Sequence, residues 1–335
     1  MLELLPSGVS LIDVGMWIWF VLTAVAVASV AYDQFRGAPQ PRPDSLAMAT
    51  MRWGWLLFTL YTGLFGFIVY WSLHRAPVPA TIKQSVPSIW EQSIESTVHC
   101  VAGDATGILA AVVVASWLRP TMGVELIGEY FAGFAVGLLW FQALCMKSTF
   151  GGEYWRAVRG TFLPEMLSMN AVMAGMIPVM IIVMSHDMSA MQPTSVRFWA
   201  TLSLAVMVST VTTFPVNWWL VERGLKHGTG GEERARLRDG VSGTSKWAAV
   251  IVTLGMLVVG IILAARFGNF AMRAGDSVEN KPVSFRVNVG SPRVGPTAVA
   301  AVRRLHIWPA PDKVVAHLHT DLIAQPLFGA SQSWR

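Results

Sequence analysis

Charge is what this chain has least of. Asp, Glu, Lys and Arg make up 13% of its 335 residues, against 53% hydrophobic, where a soluble domain carries about 25% charged residues. That shortage disfavours a soluble globular fold and fits a protein of the membrane. Cysteine is almost missing as well. Cys100 and Cys145 both fall in apolar runs, which argues against a secreted disulfide framework and leaves packed thiols or metal ligands. There is no HExxH, nucleophile elbow, glycine-rich phosphate loop or CxxCH haem motif, so those chemistries have no sequence footing. Bis-histidine haem would need two histidines at matching depth, and no second span offers one to match His99. The net charge of +5 lies mostly in loops, where it reports topology; no nucleic-acid partner is expected.

What is present is a series of apolar runs, each near the roughly 20 residues that cross a hydrocarbon core. Seven are expected, at 9–31, 50–71, 95–118, 122–146, 165–185, 196–222 and 246–267. The fold class is therefore an all-α polytopic membrane protein. The first run is preceded by Glu3 and by no Lys or Arg, so it reads as a retained helix and not a signal peptide. The even loops hold 11 Lys and Arg against 5 in the odd loops, which places the even loops in the cytoplasm and the tail outside. Four segments follow: 1–94 with two helices and a proline-rich linker, 95–228 with a four-helix core, 229–267 with a charged loop and the last span, and 268–335 as an extramembrane tail.

Short loops join spans three to six, so these should pack as antiparallel neighbours. The start of span three, the end of four, the start of five and the end of six then share one face. That face gathers Glu95, His99, Cys100 and Asp104 with Gln142, Cys145, Met146 and Lys147. It adds Glu165, Met166, Met169, Asn217, Glu222, Lys226 and His227. The opposite end holds Glu125, Glu129, His186, Asp187, Met188 and Met191.

Between the ends runs "MLSMNAVMAGMIPVMIIVMSHDM", with seven methionines in 23 residues. On a helical wheel Met166, Met169, Met173, Met176, Met180 and Met184 fall within an arc of roughly 80°. Such a ladder is either an adaptable packing seam or a series of weak thioether ligands along which a soft ion moves. Pro178 should kink this helix in mid-span, as suits a segment that is buried or lines a cavity.

"HCVAGDATG" puts His99 four residues after Glu95 and Asp104 four after Cys100, so two adjacent helix faces each carry a pair. Ionisable side chains within a span are costly and mark functional sites by default. His, Cys, Met and Asp together suit Cu(I), with Zn(II) as the alternative where Cys, His and carboxylate dominate. The spacing of Gly103 with Gly107, and of Gly133 with Gly137, allows close helix crossings.

"HCVAGDATG" (99–107), "GMIPVM" (175–180) and "PVNWWLVERGLKHG" (215–228) resemble an uncharacterised bacterial membrane family known as a domain of unknown function. The likeness covers roughly 95–228 and implies the four-helix unit without an activity. Members commonly continue the last motif with Met, where this chain has Thr229. In the tail, "AAVRRLHIWPAPDKVVAHLHTDL" (300–322) is similar to part of the cytoplasmic domain of cation diffusion facilitators. That likeness implies two short strands and a metal-binding histidine at His317, with His306 and His319 close by. It also implies a cytoplasmic tail, against the loop charges.

The reading is a multi-pass protein of the bacterial inner membrane that binds and translocates a soft metal ion, Cu(I) first, and is not an enzyme. Its partners would be the lipid bilayer, the metal ion, and a metallochaperone or membrane partner. The expected ligands are His99, Cys100, Asp104, Cys145 and Met146 at one end and the ladder from Met166 to Met184 as the route. His186, Asp187 and Met188 would form the far mouth, with His227 beside the first set. The alternatives are a scaffold or assembly subunit, in which methionines and glycines only pack, and a metal- or haem-dependent membrane oxidoreductase. "YWRAVRGTF" (154–162) alternates aromatic and basic residues as an interfacial anchor does.

Overall fold

The structure, a computed structural model, describes residues 11–36, 45–74, 88–226 and 242–270. His227, most of the charged 228–246 loop, and the tail with His306, His317 and His319 lie outside the described residues. Among the described residues the architecture is all-α. Helices α1 (Leu11–Arg36), α2 (Ser45–Thr62), α3 (Leu64–His74) and α4 (Ile89–Leu118) come first. Helix α5 (Met122–Val136) runs on through a π-helical turn, Gly137–Gln142, into the short α6 (Ala143–Cys145). Then follow α7 (Tyr154–His186), a 3₁₀ turn at Met188–Met191, α8 (Val196–Glu222) and α9 (Gly243–Phe267).

Six of these are long and apolar enough to cross a bilayer: α1, α4, the α5–α6 run, α7, α8 and α9. The chain is thus a multi-pass membrane protein. The seventh expected span, 50–71, is divided at Gly63, whose φ of 59° interrupts the helix between α2 and α3. A side chain at 63 would also press on Trp19 and Thr23 of α1. Helix α3 is too short to span, and α2, at 18 residues, is not among the six helices long and apolar enough to cross.

Helix α4 begins where Ser88 and Glu91 form a capping box, which satisfies two backbone donors reciprocally. It ends at Arg119, in the left-handed conformation and ahead of Pro120, which cannot continue a helix. Helix α7 takes in the 154–162 stretch as its own first turns and carries both Pro164 and Pro178. The aromatic and basic stretch is therefore the start of the long helix.

The most hydropathic windows of α4 and α7 are 67% buried, while those of α1 and α9 are 17% buried. Helices α4 and α7 consequently form the centre, and α1 and α9 the lipid-facing periphery. The expected four-helix unit is present: α4 packs on α5 and α8, and α7 on α8. Helix α9 joins it, docking along α7 with Gly260 against Ala174. The two glycine pairs meet face to face, Gly103 on Gly137 and Gly107 on Ala132 and Gly133. This close approach is what small residues permit between membrane helices.

Candidate functional site

The two faces of α4 distinguished by their i, i+4 pairs look into two different sites. Cys100 and Asp104 face inward, toward α5, α7 and the end of α8. Lys226, four residues past the last residue of α8, turns back into the bundle with its side chain entirely buried. Its Nζ donates to Glu165 Oε2 at 3.1 Å, Ser168 Oγ at 2.6 Å and Asn217 Oδ1 at 3.4 Å, and lies 2.8 Å from Cys100 Sγ. Cys100 Sγ in turn approaches Glu165 Oε2 at 3.4 Å and Gln142 Oε1 at 3.9 Å. Ser168 Oγ donates to Asn217 Oδ1 at 2.7 Å, and Asn217 Nδ2 to Thr97 Oγ1 at 3.2 Å. An ammonium in this setting needs such a full set of acceptors, because a buried charge is tolerated only when paired and hydrogen-bonded.

Asp104 is the exception in this centre. It is fully buried, yet neither of its oxygens, nor Glu165 Oε1, accepts a hydrogen bond from any described N–H or O–H group. The two carboxyls face each other across Gly137, where a Cβ would collide with both Asp104 Oδ1 and Glu165 Oε1. Gly137 opens the π-helical turn, a distortion frequent at functional sites. Glycine is required there because the carboxyl oxygens occupy the space of a side chain.

The second face carries Glu95 and His99. With Met51 of α2, Ser96, Gln142, Cys145 and Met146 they line a cavity of about 10 Å³, enough for one ion or one water. The His99 ring also meets Phe141 edge to face. A histidine, a cysteine and two methionines therefore line a single small space. Among the described residues no group of three His, Cys, Asp or Glu side chains is arranged to hold a metal, so any metal here would depend on the thioethers.

The structure thus brings His99, Cys145 and Met146 together and places Cys100 and Asp104 in the neighbouring ionic centre. The methionine ladder packs in the apolar core. Met169, Met173, Met176, Met180 and Met184 are buried in one hydrophobic cluster, and Met166 packs at the edge of a second. At the far end His186 Nδ1 contacts its own helix at Ile182 O, 2.8 Å away, and Met188 packs against the core. Asp187 accepts from Arg197 at 2.7 Å, and Arg197 reaches across to Asp13 of α1 at 3.0 Å. Burial alone would raise the Asp187 carboxyl, but hydrogen bonds from Ser189 and Arg197 outweigh it and hold the group below its ordinary value. Asp187 thus ties this turn to Arg197, while His186 turns to its own helix and Met188 to the core.

The residues that sequence reasoning did not select as site members are Lys226, Glu165, Ser168, Asn217 and Met51. For Glu165 and Lys226 a signal was available. Each is an ionisable residue at the edge of a long apolar run, of opposite charge, on spans expected to meet at that level. Met51 had no such signal, since its contact depends on how α2 docks on α4.

No curated protein and no solved structure matches the chain. Residues 89–226, which run from the first residue of α4 to the buried lysine and so enclose the whole ionic centre, match the model of the family described as Domain of unknown function (DUF4396).

Proposed function

We propose that this protein binds a soft transition-metal ion, Cu(I) first, as cargo at the His99, Cys145, Met146 and Met51 pocket and passes it within or across the bacterial inner membrane. One observation carries the reading: a histidine, a cysteine and two methionines from α2, α4, α6 and the turn after it line the same cavity. Thiolate and thioether ligands select Cu(I) over hard cations, and imidazole is compatible with it. Zn(II), which favours Cys, His and carboxylate ligands, is the weaker fit, since no group of three such side chains is arranged to hold a metal among the described residues. A metallochaperone or another membrane protein would deliver or receive the ion. The Met169 to Met184 ladder has no part in this binding reading, because its side chains fill the apolar core.

Elemental analysis of detergent-purified full-length protein, after growth with copper and zinc, tests the proposal. Near-stoichiometric copper is expected in the wild type and in Cys100→Ser, with loss in Cys145→Ser and in His99→Ala. Copper absent from the wild type, or lost equally from Cys100→Ser and Cys145→Ser, overturns the pocket as the site. The core burial of five methionines supports a second reading, a scaffold subunit without cargo. That reading gains if neither copper nor zinc is found.

A further inference from the structure

The ionic centre holds more buried acid than its one lysine can neutralise. Lys226 is committed to Glu165 Oε2 and Cys100, while the Asp104 carboxyl, fully buried, takes no hydrogen bond from any described N–H or O–H group. Around it stand Glu165 on α7, Lys226 after α8, Cys100 on its own helix and Tyr130 on α5. Among these Lys226 is the sole cation. An unpaired carboxylate in an apolar interior is too costly to persist. Two carboxyls within hydrogen-bond reach, as Asp104 and Glu165 are, can instead share one proton, since a protonated carboxyl becomes a donor.

Further polar groups of α5 stand between this pair and the other end of the bundle. Tyr130 lies seven residues from Gly137, about 10 Å of helix rise, and its hydroxyl donates to Asn170 Oδ1 of α7 at 2.7 Å. Asn170 Nδ2 donates onward to Thr253 Oγ1 of α9 at 3.3 Å. One residue before Tyr130 is Glu129, within electrostatic reach of Glu125 one turn closer to the mouth. Glu125 Oε2 is itself buried and takes no hydrogen bond from any described N–H or O–H group. Chains of carboxyls and hydroxyls inside membrane helices are how proton relays are built.

We propose that Asp104 and Glu165 hold one exchangeable proton deep in the bundle, reached from the Glu125 and Glu129 end by way of Tyr130. The proton moves between carboxyl oxygens and water at the mouth, with no bond to carbon made or broken. Its role as the coupling ion for cargo rests on the metal reading; its presence does not. Infrared spectroscopy of the full-length protein in liposomes, free of added metal, provides the test. A protonated-carboxyl C=O band is expected at neutral pH, shifting in D₂O. It should vanish in Asp104→Asn and also be lost in Glu165→Gln, since either change leaves one carboxylate for the one lysine. Exchange into D₂O should slow at least about tenfold in Glu129→Gln and in Tyr130→Phe. A wild-type spectrum without the band, a band unchanged in both Asp104→Asn and Glu165→Gln, or a band removed by added Na⁺ overturns the proton site. Exchange unaffected by Glu129→Gln and Tyr130→Phe overturns the access route. Copper content of the same preparations reports separately on the metal pocket.

Discussion

Lys226 Nζ stands 3.1 Å from Glu165 Oε2, and neither side chain has any solvent exposure. The pair ties the chain just past α8 to α7, and the Cys100 thiol, the Ser168 hydroxyl and the Asn217 amide oxygen complete the shell. Its value to the fold is asymmetric: a buried ion pair adds little over a well-packed apolar pair, yet breaking one partner strands the other.

Lys226→Met should therefore destabilise the protein by about 3 to 5 kcal/mol. The double variant with Glu165→Gln should recover much of that loss, because no charge is left unpaired. Thermal unfolding in detergent, followed by the loss of monodisperse protein, measures both. A double variant as unstable as the single one would show that the pair contributes more than mutual neutralisation.

The crossing of α4 and α5 depends on Gly107, where a Cβ would run into the Ala132 carbonyl and Gly133. Backbone cannot rotate aside as a side chain can. Gly107→Ala is expected to cost about 1 to 3 kcal/mol or more, the range for overpacking, and to lower the melting temperature. Gly123→Ala, which would meet nothing within 4 Å, is the control and should leave it unchanged.

Replacing Met173, Met176 and Met180 by leucine should be tolerated, at under about 1.5 kcal/mol each for volume-conserving swaps. These side chains are buried in the apolar cluster. Copper content should not change. A drop in bound copper in this triple variant would return the ladder to the metal pathway.

The α7–α8 turn should respond to acid. Asp187 titrates below its unfolded value because Ser189 and Arg197 stabilise the carboxylate against the opposing effect of burial. A depressed carboxyl contributes stability above the unfolded pKa of about 3.9 and loses it as pH falls through the lower folded value. The contribution is thus complete at neutral pH and disappears only in strong acid. Asp187→Asn should cost about 1 kcal/mol or less, since the pair is one-third exposed and such pairs are screened by water. Its stability should also show a weaker dependence on pH below about 4. Melting curves of the two proteins across acid pH check this.

The helices were legible because their causes are local. Apolar length and turn residues place α8 and α9 within about three residues of the stretches 196–222 and 246–267, while α1 runs on past 31 to Arg36, α4 begins before 95 at Ile89 and α7 before 165 at Tyr154. The break at Gly63 was not legible, since a glycine inside an apolar run suits a helix equally well until Trp19 and Thr23 are seen against it. The level at which Cys100, Gln142, Glu165 and Asn217 meet followed from short loops and antiparallel packing. Lys226 was legible as a resident of that level, but its return into the bundle was not.

The sequence by itself determined the membrane setting, the helical periods, the glycine pairs and the fact that α4 carries two titratable faces, because each rests on spacing along one helix. Only the tertiary structure decided what each face looks at. Rotation of a helix about its axis is set by the contacts of its neighbours, here Gly103 and Gly107 pressed on α5. That rotation turned His99 toward Cys145 and Met146 and turned Cys100 and Asp104 toward Glu165, dividing one expected ligand set into a pocket and an ionic centre.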